Sequence, residues 1–416
     1  MTRRRKIALL AFAAVILCAA LALRWLMDPA FLVPRMLALA GDSLGLEITA
    51  DGESDYRLRG TPQLVARNVI AREPGSDAVV LRAERLFISL PWSTLRARGS
   101  DLTANRLELD APVLHMAAFQ RWQAKRPPSD TPIPTLSRGI GIVRGQLVGS
   151  DWKIEALDAD LRSLAPDRPL RMHLRGRYAG GELRVPVDVY ASLTKPATGA
   201  GVGIAGQVTL ESSQWRLPSH IRLSAKLRSE QGIQLDNAVL GARSRYVSGD
   251  TSLPFALGLA GPLLLSDKAI ALQPAGVSLR GGEVMPTLDA SGGFTFADKL
   301  HLQLDGDLAG WPSGWPALPP PLGQSASPLP FALAYEGASD LSDIAALSLR
   351  RDQTVFDGRF RLFEAMDWSA AGAQGSPLPP LSGTLTAPRL DVSGAVLEGV
   401  EVQLEDPAIP AGREPE

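Results

Sequence analysis

Leu183-Arg184-Val185-Pro186-Val187-Asp188-Val189-Tyr190 places an aliphatic residue at every second position, four times in succession. In an extended strand, a repeat of two puts Leu183, Val185, Val187 and Val189 on one face. Just upstream, Met172, Leu174 and Tyr178 take one side and Arg171, His173, Arg175 and Arg177 the other. Gly180-Gly181 lies between the two runs, which predicts a β-hairpin. The pattern recurs downstream. Ile221, Leu223, Ala225 and Leu227 alternate with Arg222, Ser224, Lys226 and Arg228. Leu300, Leu302, Leu304 and Leu308 alternate with His301, Gln303, Asp305 and Asp307, and Val400, Val402 and Leu404 with Glu401, Gln403 and Glu405. One dry and one wet face per strand argues for antiparallel sheet, since doubly covered parallel strands would be apolar throughout. The expected fold is mainly β: an N-terminal transmembrane helix, then an elongated, curved antiparallel repeat sheet, groove-like, with few short helices.

Helical signals are confined to Pro29–Leu39 and Ala117–Lys125, the second ended by Pro127-Pro128. Arg126–Thr135, Trp311–Pro330 and Ala370–Pro380 are rich in Pro, Gly or Ser and read as loops. An internal repeat runs through the second half. Leu253-Pro254-Phe255-Ala256-Leu257 returns 76 residues later as Leu329-Pro330-Phe331-Ala332-Leu333. Leu265-Ser266-Asp267 and Leu341-Ser342-Asp343, and Gly282 and Gly358, keep the same offset. The repeated segments are 253–285 and 329–361, and a duplicated strand-turn unit is the simplest cause.

At the N-terminus, Arg3, Arg4, Arg5 and Lys6 precede an uncharged run from Ile7 to Leu23, with Trp25 beyond it. This reads as a cytoplasmic basic tail (1–6) and a transmembrane anchor (7–27) with the rest of the chain across the membrane. A cleavable signal peptide with its site at Ala20-Leu21-Ala22 is the rival reading. The long apolar run and the bulky Arg24-Trp25 flank favour the anchor.

Composition excludes several functions. Formal net charge is −1, so there is no footprint for nucleic acid. Cys18 is the only cysteine and falls inside the apolar run, so the exported part has no disulfides. Gly and Pro number 39 and 33, which suits many turns and short strands. His115, His173, His220 and His301 are far apart and lack metal-ligand spacing. There is no Gly-x-Ser-x-Gly elbow, His-Glu-x-x-His helix or phosphate-binding glycine loop. Gly180-Gly181, Gly281-Gly282 and Gly292-Gly293 each sit between alternating runs and read as turns. Asp158 with Asp160 and Asp305 with Asp307 share strand faces, but those faces are wet, and solvated acids need no function. No enzyme and no cofactor is expected.

The apolar faces remain. They either pack together as a closed sandwich core or line a groove for something apolar, and alternation alone does not separate the two. The candidate groove-lining residues are Leu183, Val185, Val187, Val189, Ile221, Leu223, Leu302 and Leu304.

Residues 1–115 carry a further signal. After the anchor come Leu64-Val65-Ala66-Arg67-Asn68-Val69, Leu81-Arg82-Ala83-Glu84-Arg85-Leu86-Phe87-Ile88-Ser89-Leu90, Pro91-Trp92-Ser93-Thr94-Leu95 and Leu107-Glu108-Leu109-Asp110-Ala111-Pro112-Val113-Leu114. This succession resembles the N-terminal part of the AsmA-like envelope proteins. Ile140–Leu147, the two Leu-Pro-Phe-Ala-Leu segments and Gly383–Asp391 extend the resemblance over most of the chain. It implies a single-pass inner-membrane protein of a Gram-negative bacterium, with an AsmA-like N-terminal β region (28–125) and a periplasmic repeat β region (136–416). It also implies a role in outer-membrane biogenesis by handling phospholipid along an apolar β groove. Its partners would be the inner membrane, phospholipid and other envelope proteins, and not nucleic acid. The alternative is a structural or secretion-accessory protein resembling the N subunit of type II secretion systems, which binds proteins and not lipid.

Overall fold

The computed structural model describes residues 29–409 apart from 97–102, 126–134, 229–232, 267–268, 283, 315–317, 319–321, 326, 372–378 and 393–394. The basic tail, the anchor and Cys18 lie outside the described residues. Among the described residues no helix is long and apolar enough to cross a membrane. The chain forms two compact units, Met1–Gly181 with Pro186–Asp188, and Glu182–Val185 with Val189–Glu416.

The first unit contains helix α1 (Pro29–Leu44), strands β1 (Glu47–Ala50), β2 (Asp55–Arg57), β3 (Gln63–Arg72) and β4 (Val79–Ser89), and the short helix α2 (Trp92–Arg96). It continues with β5 (Thr103–Ala104), β6 (Arg106–Asp110), β7 (Val113–His115), α3 (Met116–Ala124), β8 (Thr135–Leu136), β9 (Ile140–Val148), β10 (Trp152–Leu161) and β11 (Leu170–Gly180). Strand β3 is its centre, antiparallel to β1, β2 and β4. Val33 and Leu37, one helical turn apart on α1, are fully buried against Leu64, Ala66 and Val69 of β3. Strand β4 pairs with β6 and β7, and both of these pair in parallel with β9. Parallel neighbours need a crossover, and α3 lies on the path between β7 and β9. Its Trp122 donates a hydrogen bond to the Leu44 carbonyl at 2.9 Å, and Lys125 just past it is paired with the buried Glu73. Residues 136–181 thus pack with the first unit. Gly139 (φ +71) closes the turn into β9, where a Cβ would lie 1.6 Å from the Leu161 carbonyl oxygen. Only glycine fits there.

The division between the units falls within β12 (Leu183–Leu193). Gly181 (φ +56) turns the chain between β11 and β12, as the glycine pair predicts. The second unit then runs through β13 (Gly201–Glu211), β14 (Arg216–Arg228), β15 (Ile233–Ser248), β16 (Thr251–Leu265), β17 (Ile270–Arg280), β18 (Thr287–Phe296) and β19 (Leu300–Gly310). After a 3-10 turn at Leu322–Gln324 come β20 (Leu329–Gly337), β21 (Ile344–Arg351), β22 (Thr354–Arg361), helix α4 (Leu362–Ala371), β23 (Leu381–Val392) and β24 (Ala395–Leu404). From β13 onward each strand is antiparallel to the next. Both Leu-Pro-Phe-Ala-Leu segments are strand, in β16 and β20. Gly282 follows β17, whereas Gly358 sits inside β22.

Register makes the alternation a property of the whole unit. One row of facing residues crosses it as Ile204, Leu223, Leu240, Leu259, Val277 and Ala290. The row continues as Gly306, Phe331, Leu349, Phe356, Leu385 and Val402. All except Gly306 are hydrophobic. A slip of one residue in any pairing would throw that strand's set to the wet side. Where β14–β18 depart from simple pairing, a bulge restores the parity, as between Leu235 and Ala238 or Leu272 and Ala275.

Candidate functional site

The apolar face of the second unit is covered over one part and open over another. The covered part centres on Leu304, Leu329, Phe331 and Leu349, which are 8%, 0%, 7% and 3% exposed. The proline-rich segment after β19 folds onto them: Trp311 and Leu318 pack into the cluster, and Leu322 is 2% exposed. Arg351, at the end of β21, holds this segment down. Its Nη1 donates to the carbonyls of Leu322 at 2.7 Å and Ser325 at 2.9 Å. Trp311 and Leu318, from a stretch that reads as a loop by composition, therefore help close this core.

On β13–β16 the same face is different. Ile204, Ile221, Leu223, Leu240, Leu257 and Leu259 are only half-buried. Water therefore reaches part of each of these side chains.

At one end of this open part stand three rings. Trp215, in the turn before β14, lies 6.1 Å from Phe363 of α4, centroid to centroid, and Phe363 lies 6.1 Å from Tyr246 of β15. Both pairs are stacked, at interplanar angles of 25° and 18°. Phe363 follows β22, seven strands from β15. In a flat sheet seven strand spacings are ~34 Å, and the two positions would also lie at opposite strand ends. Twist of ~20–25° per strand adds up to nearly half a turn over seven steps and brings the opposite ends to one side; the contact between Phe363 and Tyr246 requires the sheet to curl across its strands as well. The second unit therefore coils with its apolar face inward. Tyr246, Ser219, Ser244 and Ala242 are all buried at this end, and the two serine hydroxyls satisfy each other at 2.7 Å. Burial pushes the Tyr246 hydroxyl's pKa up and the Asp367 carboxylate adds to the shift, against a hydrogen bond with Ser248. Phe363 and Asp367 are four residues apart on α4, so one helix face meets Tyr246.

The sequence-predicted residues fall as follows. Ile221 and Leu223 belong to the open part of the apolar face, and Leu302 and Leu304 to the covered cluster. Leu183, Val185, Val187 and Val189 share one side of β12; Val189 is 8% exposed and the others are half-buried. The three ring residues Trp215, Tyr246 and Phe363 carry no mark in the strand alternation, and α4 has no counterpart among the helices expected from sequence.

In the first unit the wet faces of the strands are ionic. Asp188 accepts hydrogen bonds from His173 Nε2 at 2.7 Å and Arg175 Nε at 3.3 Å. The His173 bond is the main cause holding the Asp188 carboxyl below its ordinary range, and Arg175 reinforces it. A depressed carboxyl stabilises the fold above its unfolded pKa, and that share is lost as pH falls through the lowered folded value. Asp188→Asn should therefore be less stable than the parent near neutrality, by no more than about 1 kcal/mol for so exposed a pair. The two unfolding free energies should converge in acid below the folded pKa; a gap that persists there would refute the assignment. Asp158 and Asp160 are engaged as well. Asp158 accepts the Arg144 backbone N–H at 2.8 Å, and Asp160 accepts from Arg106. Among the described residues no three His, Cys, Asp or Glu side chains gather as a metal site.

No family model, curated protein or solved structure matches the chain.

Proposed function

We propose that this chain is a membrane-anchored envelope protein of the AsmA-like kind, which handles phospholipid in outer-membrane biogenesis. The open apolar face would hold the acyl chains. The observation that carries the reading is the half-buried hydrophobic row on β13–β16, continuous in register with the buried Phe331, Leu349 and Leu385. A soluble core would bury such residues; a lipid groove leaves them for its cargo. The basic residues and apolar run of the first 27 positions supply the membrane tether in this reading.

The test is Leu223→Asp in the full-length protein, with Arg222→Asp as control, scored for thermal unfolding and for bound phospholipid. Leu223 is half-buried and Arg222 exposed. Leu223→Asp should keep its melting transition and lose most of its lipid, while Arg222→Asp changes neither. Loss of folding and lipid together in Leu223→Asp would point to an ordinary core.

One observation favours the scaffold alternative. Strand β24 pairs on one side only among the described residues, and Val396, Leu397 and Val402 are exposed along it. An open edge of this kind accepts a strand from another protein. Stable capture of secretion components by the full chain, with no lipid bound, would move the assignment to that class.

A further inference from the structure

We propose that the open edge of β24 docks an extended basic strand from a partner protein, a segment in which apolar residues alternate with lysine or arginine. This goes beyond the lipid reading and does not depend on it; it rests on the edge alone and gives the scaffold alternative a partner of stated chemistry.

Among the described residues β24 pairs with β23 alone. Its outer side presents a row of backbone N–H and C=O groups, the template for one more strand. The usual guards against such an addition are missing. The strand is 10 residues long, contains no proline or lysine, and keeps one register with β23 from Ala395 to Leu404 without a bulge. Val396, Leu397 and Val402 stand exposed along it. Charge then selects the occupant. Glu398 and Glu401 lie in the strand, Glu405 and Asp406 directly follow it, and no Lys or Arg falls in 395–409. Arg389 of β23 faces Glu398, but Thr386 faces Glu401, so no cation stands directly across from Glu401. The strand period puts Leu397, Glu401, Gln403 and Glu405 on one side and Val396, Val400 and Val402 on the other. A chain laid along β24 therefore meets acids on one side and valines on the other. A second copy of this chain fits badly: in full antiparallel overlap Glu398 would face Glu401 at two places, and like charges directly opposite are destabilising. A strand with apolar residues on one side and lysine or arginine on the other matches both sides, and it would extend the facing row that ends at Val402.

The experiment titrates the full-length protein with fluorescent peptides of the length of β24 and follows backbone hydrogen exchange in that strand. One peptide alternates valine with lysine, the other valine with glutamate. The lysine peptide should bind about tenfold tighter than the glutamate peptide, through cross-strand charge pairs at Glu401 and Glu405, and should slow exchange across β24. The lysine peptide with its amides N-methylated keeps its charge but cannot pair, and should not bind. Glu401→Lys combined with Glu405→Lys changes two exposed positions; it should keep the parent's melting transition and reverse the preference. If that variant does not fold, Glu401→Gln with Glu405→Gln should abolish the preference instead. Equal binding of the two charged peptides, undiminished binding of the N-methylated one, or no binding at all overturns the proposal. Slow exchange in β24 before any peptide is added overturns it too: in a monomer, another part of this chain covers the edge, and if it appears only at high protein concentration, a second copy does. None of these results touches the lipid reading, which stands or falls on retained phospholipid.

Discussion

Leu329→Asp is expected to leave the second unit without a cooperative melting transition, whereas Leu223→Asp on the same apolar face keeps one. Leu329 is 0% exposed and packs with Leu304, Phe331 and Leu349 under the proline-rich segment. An isolated carboxylate there costs several kcal/mol even after it takes up a proton. Against a total stability of about 5–15 kcal/mol for a domain, such a loss removes much or all of the margin. The milder Leu329→Ala should lose about 2–5 kcal/mol through lost transfer and the cavity left behind. Leu223 differs because water already reaches its side chain, so a carboxylate there stays solvated. Denaturant unfolding of both Asp variants checks the contrast. Equal destabilisation at the two positions would mean that the face is covered throughout.

Arg351→Ala is expected to release the proline-rich segment, at a cost of about 2–4 kcal/mol from two charge-assisted hydrogen bonds and the contacts they hold in place. Leu322 and Ser325 offer their carbonyls to one Arg351 nitrogen, a pattern that the three donors of a lysine ammonium also meet, so Arg351→Lys should restore much of the loss. The distinctive sign is exposure of apolar surface. With the segment lifted, Leu329, Phe331 and Leu349 become accessible, and binding of an anilinonaphthalene dye should rise several-fold while far-ultraviolet circular dichroism still reports a sheet. Unchanged dye binding would show that the segment stays down without Arg351.

The strands were legible in the sequence because period-two alternation is written into neighbouring residues. The runs at Met172–Tyr178, Leu183–Tyr190, Ile221–Arg228 and Leu300–Leu308 all lie in strands, Pro29–Leu39 lies in a helix, and Ala117–Lys125 is helical up to Ala124. Alternation tells which side of a strand is dry, but not what faces it. So Leu304 and Leu223 read alike in sequence, though one sits under the proline-rich segment and the other meets solvent. Trp311, Leu318 and Leu322 were hidden by the prolines around them, which mark a break in regular structure without marking its burial. Helix α4 escaped because Leu362–Ala371 is short and runs directly out of β22. Its partner Tyr246 is more than a hundred residues away. That meeting depends on twist and curl accumulated over seven strands, properties of the sheet that no local pattern records.

The most direct test of the central claim is mass spectrometry of lipid retained by the full-length protein, purified in mild detergent with its apolar face intact. Phospholipid should survive exchange into fresh detergent, and it should be depleted in Leu223→Asp but not in Arg222→Asp. A parent protein free of retained phospholipid, with Leu223→Asp indistinguishable from it, would contradict the account.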